Sequence, residues 1–159
     1  LGNLTFNMKS KSNGGVSVRV ETHATIQNGQ VDTRRSGKFA NVGDEPADLS
    51  GTDSGMGPAE YILQALAGCY TATLTVMAAE KGIELDGIEL DLNVDINLNG
   101  FLGLDEKGRN GAKAIRVGVK LSSPTASREQ LEEMVRALPE SSPIHDTLAN
   151  PVSIDTRLV

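Results

Sequence analysis

A chain of 159 residues has the length for one domain with a real core, and a formal net charge of −6 excludes the basic surface that nucleic-acid phosphates require. A single cysteine excludes an intrachain disulfide framework and a cysteine zinc site, and makes cytoplasmic residence the simplest inference. With no tryptophan and 3% aromatics, Leu, Ile, Val, Ala and Met must build the core, which is thin enough that burial by a second copy is expected.

Residues 1–20 lack a continuous apolar stretch, so no secretory leader is expected. Leu4, Phe6 and Met8 alternate with polar neighbours and predict a half-buried strand over 3–9. Ser12-Asn13-Gly14-Gly15 is a turn signal, and the alternation resumes at Val16, Val18 and Val20, which predicts a hairpin. Gln27-Asn28-Gly29-Gln30 marks a second turn, and residues 35–42 a third strand. Residues 43–57 are rich in Gly, Asp and Ser. Their spacing fits neither a calcium-binding EF-hand loop nor a phosphate loop, so a solvated loop is expected.

The stretch from Gly57 to Gly82 predicts one long helix. Pro58 suits its first turn, Gly82 its far end, and Glu60 and Lys81 lie in the order the helix dipole favours. No charged residue occurs from Tyr61 to Ala79, so burial on most of the circumference is expected. Gln64, Thr71, Thr73 and Thr75 argue against a membrane span. Cys69 shares a face with Ala65, Leu66, Ile62, Thr73 and Val76. Two readings of it are open: a small buried hydrophobe, or a reactive thiol in an apolar pocket.

After Gly82 a period-two series from Ile88 to Leu98 predicts a long strand with one wet face. Residues 99–111 form a turn-rich connection, and Ala114–Leu121 the returning strand, broken by Pro124. Ser127 with Gln130 resembles a capping box opening a short helix through Leu131, Met134, Val135 and Leu138, which Pro139 ends. Residues 141–150 predict a second short helix with Pro143 near its start. Val152, Ile154, Thr156 and Leu158 predict a final strand. Helices and strands are segregated, so the class is α+β, in a single domain over 1–159.

GPAEYILQALAGCYTATL resembles the cysteine-helix signature of the OsmC/Ohr superfamily, the osmotically induced and organic-hydroperoxide-resistance proteins, and SPIHDTLANPVSI resembles the family's proline-started helix and the turn after it. The element order matches over nearly the whole chain. The resemblance implies an intertwined homodimer whose two central cysteine helices are wrapped by antiparallel sheets. It implies thiol-dependent reduction of organic hydroperoxides or hydrogen peroxide. A peroxidatic cysteine becomes a sulfenic acid, a second cysteine resolves it as a disulfide, and dithiols such as dihydrolipoamide reduce that disulfide. Cys69 falls on the peroxidatic position, and Ser142 stands where the family has its resolving cysteine. A hydroxyl cannot make that disulfide, so an external thiol resolves Cys69 or the chemistry is lost.

The resemblance also implies an arginine held by a glutamate to stabilise the thiolate. Glu60 lies near the glutamate position, though Ala59 aligns with it in the hydroperoxide-resistance branch. Nine residues from Cys69 places Glu60 on roughly the opposite side of a regular helix. Arg35, with Arg34 and Arg19, supplies the arginine candidates, each equally readable as a solvated charge. His145, three residues after Ser142, is open to two readings, an imidazolium beside Cys69 or a structural hydrogen-bond partner. His23 has no partner visible in sequence, and Asp146 does not face His145 on a helix. The enzyme reading is a thiol peroxidase with an external reductant. The alternative is a non-catalytic dimer binding a small apolar ligand at its interface. Neither requires a cofactor, a metal, nucleic acid or a membrane.

Overall fold

A computed structural model describes residues 2–159. The chain forms two compact units, the first ending at Tyr61 and the second comprising Ile62–Val159.

The first unit is built from short antiparallel strands. β1 (Leu4–Thr5), β4 (Thr25–Gln27) and β5 (Gln30–Asp32) form one sheet, in the order β1-β4-β5. β2 (Met8–Ser12), β3 (Val18–Thr22) and β6 (Ala40–Gly43) form another, in the order β2-β3-β6. The hairpin expected around Ser12–Gly15 joins β2 to β3, with Met8 opposite Thr22 and Ser12 opposite Val18. The second turn joins β4 to β5 through Asn28 and Gly29, both at positive φ (49° and 80°), as a two-residue hairpin loop of right-handed twist demands.

Two strand expectations are corrected in this unit. Residues 3–9 are not one half-buried strand. They divide between β1 and β2, which pair with different partners, and Leu4, Phe6 and Met8 are exposed. The third strand is limited to Ala40–Gly43, because Ser36 N–H bonds to Thr33 O and Lys38 N–H to Arg35 O, closing a turn over the residues before it.

The loop before the long helix has its own order. A 3-10 turn spans Ala47–Leu49. Asp44, 2% exposed, accepts from the backbone N–H and the hydroxyl of both Thr52 and Ser54 through Oδ2, and from Glu45 N–H through Oδ1. These donors hold its carboxyl far below the usual carboxylate range, the hydroxyls of Thr52 and Ser54 foremost. The loop is therefore tied around one buried carboxylate rather than solvated throughout.

α1 (Pro58–Lys81) begins and ends where expected. At its far end Gly82, at φ 65°, turns the chain left-handed, and Ile83 N–H returns to Ala78 O. In the second unit the helix buries Leu66, Tyr70, Leu74 and Ala78, one stripe with a spacing of four. The expectation of burial over most of the circumference is corrected: Ile62 and Val76 are exposed at 42% and 56%, as are Ala65, Gly68, Ala72 and Ala79. α1 is also long and apolar enough to cross a membrane by length and composition, since four threonine or glutamine side chains do not outweigh its apolar residues.

β7 (Gly87–Ile96) and β8 (Ala112–Ser122) form an antiparallel pair. Their register sets Ile88 against Leu121, Leu90 against Val119, Leu92 against Val117 and Val94 against Ile115. Ile88, Leu90 and Leu92 from β7, and Ile115, Val117, Val119 and Leu121 from β8, pack on the cluster of Leu66, Tyr70, Leu74, Ala78, Ile83, Met134 and Leu138. The other face is wet, with Lys120–Glu89 and Arg116–Asp95 ion pairs. Between the strands a four-residue helix, α2 (Leu98–Phe101), interrupts the expected loop, capped by Asn97.

α3 (Arg128–Ser141) opens with the full capping box. Ser127 Oγ accepts from Gln130 N–H, and Ser127 N–H donates to Gln130 Oε1. Pro139 does not end this helix. It lies within the last turn, where it forfeits one backbone bond, and Ser142 N–H still reaches Leu138 O. α4 (Pro143–Ala149) follows at once. The final strand is absent: residues 151–159 have no regular structure, and Val152, Ile154 and Leu158 are 58%, 84% and 101% exposed. An alternating segment needs a neighbouring strand to pair with, and none flanks it.

Candidate thiol site

Two consecutive residues of α1 meet two residues of the α3–α4 junction. Cys69 is a free thiol, half-buried at the edge of the apolar stripe. Tyr70, the next residue, lies within the stripe at 6% exposure. Ser142 is the C-cap of α3 and the N-cap of α4, and is 2% exposed.

The contacts follow from the capping geometry. A serine hydroxyl has one proton and two lone pairs. Ser142 Oγ accepts from His145 N–H at 3.2 Å, the usual first-turn cap. Its proton is then directed to Cys69 Sγ at 3.1 Å. The His145 ring turns the other way, and its Nδ1 lies 2.5 Å from Tyr70 Oη. The two rings are nearly parallel, at 13° with centroids 6.0 Å apart. Burial, and secondarily a charge on Cys69, push the Tyr70 phenol up, so it stays protonated at neutral pH.

The structure thus brings together three of the sequence candidates, Cys69, Ser142 and His145. Glu60 and Arg35 belong to the first unit and are engaged there. Glu60 Oε2 accepts Gly57 N–H at 2.7 Å, securing the start of α1. The Arg35 guanidinium lies over the Phe39 ring, 5.1 Å from its centroid. Arg34 pairs with Asp32 at 2.6 Å, and Arg19 sits in β3 opposite Val42. His23 Nδ1 accepts Ala24 N–H. Asp146 accepts from the Asn150 amide through Oδ1 and faces the helix end, not His145.

Sequence reasoning missed Tyr70 as a member of this cluster. The signal was available in its chemistry, since a tyrosine in an apolar stripe must find a partner for its hydroxyl. Among the described residues no group of three or more His, Cys, Asp or Glu side chains could hold a metal ion.

The cluster can donate one hydroxyl proton to sulfur from a fixed direction. Such a bond is worth more to a thiolate than to a thiol. It cannot form a second covalent bond to the sulfur.

The profile of the family described as OsmC-like protein matches residues 51–157, more than half of the chain. Among solved structures the chain is similar to an OsmC-like protein from Mycoplasma pneumoniae, with 22% identity and a TM-score of 0.68 over 91% of this chain and 87% of that one. It is also similar to an OsmC-like protein of unknown function from Vibrio cholerae, with 11% identity and a TM-score of 0.66 over 90% and 92% of the two chains. A third is an organic hydroperoxide resistance protein OsmC from Legionella pneumophila, with 16% identity and a TM-score of 0.60 over 91% and 88%. At these identities the likeness is one of fold. No curated protein matches the sequence.

Proposed function

The chain belongs to the OsmC-like protein family, and from that premise we propose that it reduces organic hydroperoxides, or hydrogen peroxide, through Cys69 with an external thiol as reductant. The observation that carries the reading is the Ser142 hydroxyl aimed at Cys69 Sγ from 3.1 Å. The name of the Legionella pneumophila neighbour, an organic hydroperoxide resistance protein, supports the substrate class.

The Cys69 thiolate attacks one oxygen of the hydroperoxide. A sulfur–oxygen bond forms, the oxygen–oxygen bond breaks, and the departing alkoxide takes a proton to leave as the alcohol. Cys69 is then a sulfenic acid. Ser142 cannot resolve it, so a thiol from solution attacks the sulfur, expels water and forms a mixed disulfide. A second thiol releases Cys69 and the oxidised reductant.

The biological unit proposed is a homodimer, supported by the apolar and small residues left exposed along α1 and by the family's habit of pairing. A single OsmC-like domain is proposed because the family match runs across the division at Tyr61 and Ile62. Cytoplasmic residence is the accompanying proposal, resting on the lone unpaired cysteine.

A second reading has one observation in its favour. Glu60, near the position implied for holding an activating arginine, is taken by Gly57 N–H, and Arg35 by the face of Phe39. A non-catalytic dimer holding a small apolar ligand at its interface needs no such pair.

The test is consumption of cumene hydroperoxide by the purified chain with a dithiol. Turnover is expected, and its loss in Cys69→Ser. Equal turnover in that variant, or no turnover and no sulfenic acid trapped by dimedone, removes the peroxidase reading and leaves the binding one.

A further inference from the structure

We infer that Tyr70 and His145 act together as positioning residues for the Cys69 sulfur, working through Ser142. The inference rests on the thiol-peroxidase reading for its purpose, but its evidence is the geometry of the α1–α4 contact.

α4 is a weakly seated element. It has seven residues and none of them is buried. Ile144 packs against the core cluster, and that apolar contact can slide. A directional tie is supplied by the ring of His145, bonded to Tyr70 Oη at 2.5 Å and lying almost parallel to the phenol. Tyr70 is itself fixed, since α1 buries it in the stripe with Leu66 and Leu74.

His145 then acts at both ends. Its ring fixes the rotation of α4 against α1. Its backbone N–H takes a lone pair of Ser142 Oγ at 3.2 Å and leaves the hydroxyl proton for Cys69. Release of the ring does not break the Ser142 cap, which is local to α4. It frees the cap to move relative to the sulfur. Because Tyr70 directly follows Cys69 on α1, the phenol and the sulfur move as one body. Position is therefore transmitted from Tyr70 through His145 to Ser142 and back to Cys69. The groups in this circuit that titrate or carry a hydroxyl are Cys69, Ser142, Tyr70 and His145.

The experiment follows alkylation of Cys69 by iodoacetamide as a function of pH, which needs no peroxide and no reductant. Tyr70→Phe keeps the ring and removes only the hydroxyl. It is expected to move the alkylation profile toward higher pH, by several-fold in rate near neutrality, in the same sense as Ser142→Ala. The double variant is expected to match Ser142→Ala alone, since both act on one hydrogen bond. His145→Ala should reproduce Tyr70→Phe. His145→Asn should restore the wild-type profile, because its amide presents an acceptor or a donor near the place of Nδ1. Should Tyr70→Phe fail to fold, the His145 pair alone decides the matter.

A Tyr70→Phe profile that overlays the wild type while melting temperature falls overturns the inference, as does additivity of Tyr70→Phe with Ser142→Ala. Failure of the His145→Asn rescue also counts against it. If alkylation behaves as expected but cumene hydroperoxide is not consumed, the positioning holds and the peroxidase reading fails.

Discussion

Ser142 Oγ stands 3.1 Å from Cys69 Sγ although the two residues are 73 apart in sequence, and the hydroxyl donates to the sulfur. Replacement of that oxygen by sulfur should convert a hydrogen bond into a covalent one. Ser142→Cys is expected to form an intrachain disulfide with Cys69 after one equivalent of hydroperoxide, with both thiols lost to alkylation. The wild type should stop at sulfenic acid and form a mixed disulfide when one equivalent of a monothiol is then added. Intact mass under non-reducing conditions separates these products. Two free thiols persisting in oxidised Ser142→Cys would show that the junction does not present residue 142 to the sulfur.

The parts of this fold that were legible in the sequence are those whose stabilisation is local or periodic. Pro58 and Gly82 delimit α1 because each terminus satisfies its own backbone groups. The two strands β7 and β8 were legible because four apolar residues on each share one period, whereas their register comes only with the structure. Ser127 and Gln130 cap α3 as their spacing requires. What escaped depends on partners distant in sequence. Leu4 and Met8 share one alternation, yet Leu4 pairs toward Gln27 and Met8 toward Thr22. Val152 to Leu158 have the alternation of a strand and no neighbour. Cys69 and Ser142 were legible through the resemblance, whereas Tyr70 and His145 were not linked, because no periodicity connects a phenol to an imidazole 75 residues away.

Acid should destabilise the first unit through Asp44. Its folded-state carboxyl is held below the unfolded value by the donors of Thr52, Ser54 and Glu45. A depressed carboxyl contributes stability that is fully present above its unfolded pKa, about 3.9. That contribution is lost as pH falls below this value toward the folded one. Asp32, lowered to about 2 by Arg34, and Asp95, lowered by Arg116, act in the same sense. The melting temperature should therefore fall steeply below about pH 4, and Asp44→Asn should flatten, without abolishing, that slope. It should also lower stability at pH 7, where the buried carboxylate accepts five hydrogen bonds. An unchanged slope in Asp44→Asn would place the acid sensitivity elsewhere.

The core of the second unit depends on few large side chains. Leu74 and Met134 are both fully buried, at 0% exposure, and there is no tryptophan to share the load. Leu74→Ala should leave a cavity beneath the β7–β8 sheet and cost about 2–5 kcal/mol in urea unfolding. Met134→Leu, nearly equal in volume, should cost less than about 1.5 kcal/mol. Comparable losses in the two variants would mean that shape rather than volume governs this core.

The exposed side of α1 makes the sharpest prediction about assembly. Ala65, Gly68, Ala72, Val76 and Ala79 lie on it at helical spacing, uncharged and exposed in the second unit. Small residues in such a row let a second helix approach closely. Ala72→Glu places a carboxylate in the middle of the row, where pairing two copies would bury like charges against each other. The wild type is expected to sediment as a dimer and Ala72→Glu as a monomer with a lower melting temperature. Glu80→Ala, at the end of the same helix, should remain dimeric and controls for general destabilisation. Cys69 is three residues from Ala72, so alkylation in the monomeric variant also reports whether the second copy restricts access to the thiol. A monomeric wild type, or a dimeric Ala72→Glu, would leave the apolar side of α1 without the partner proposed for it.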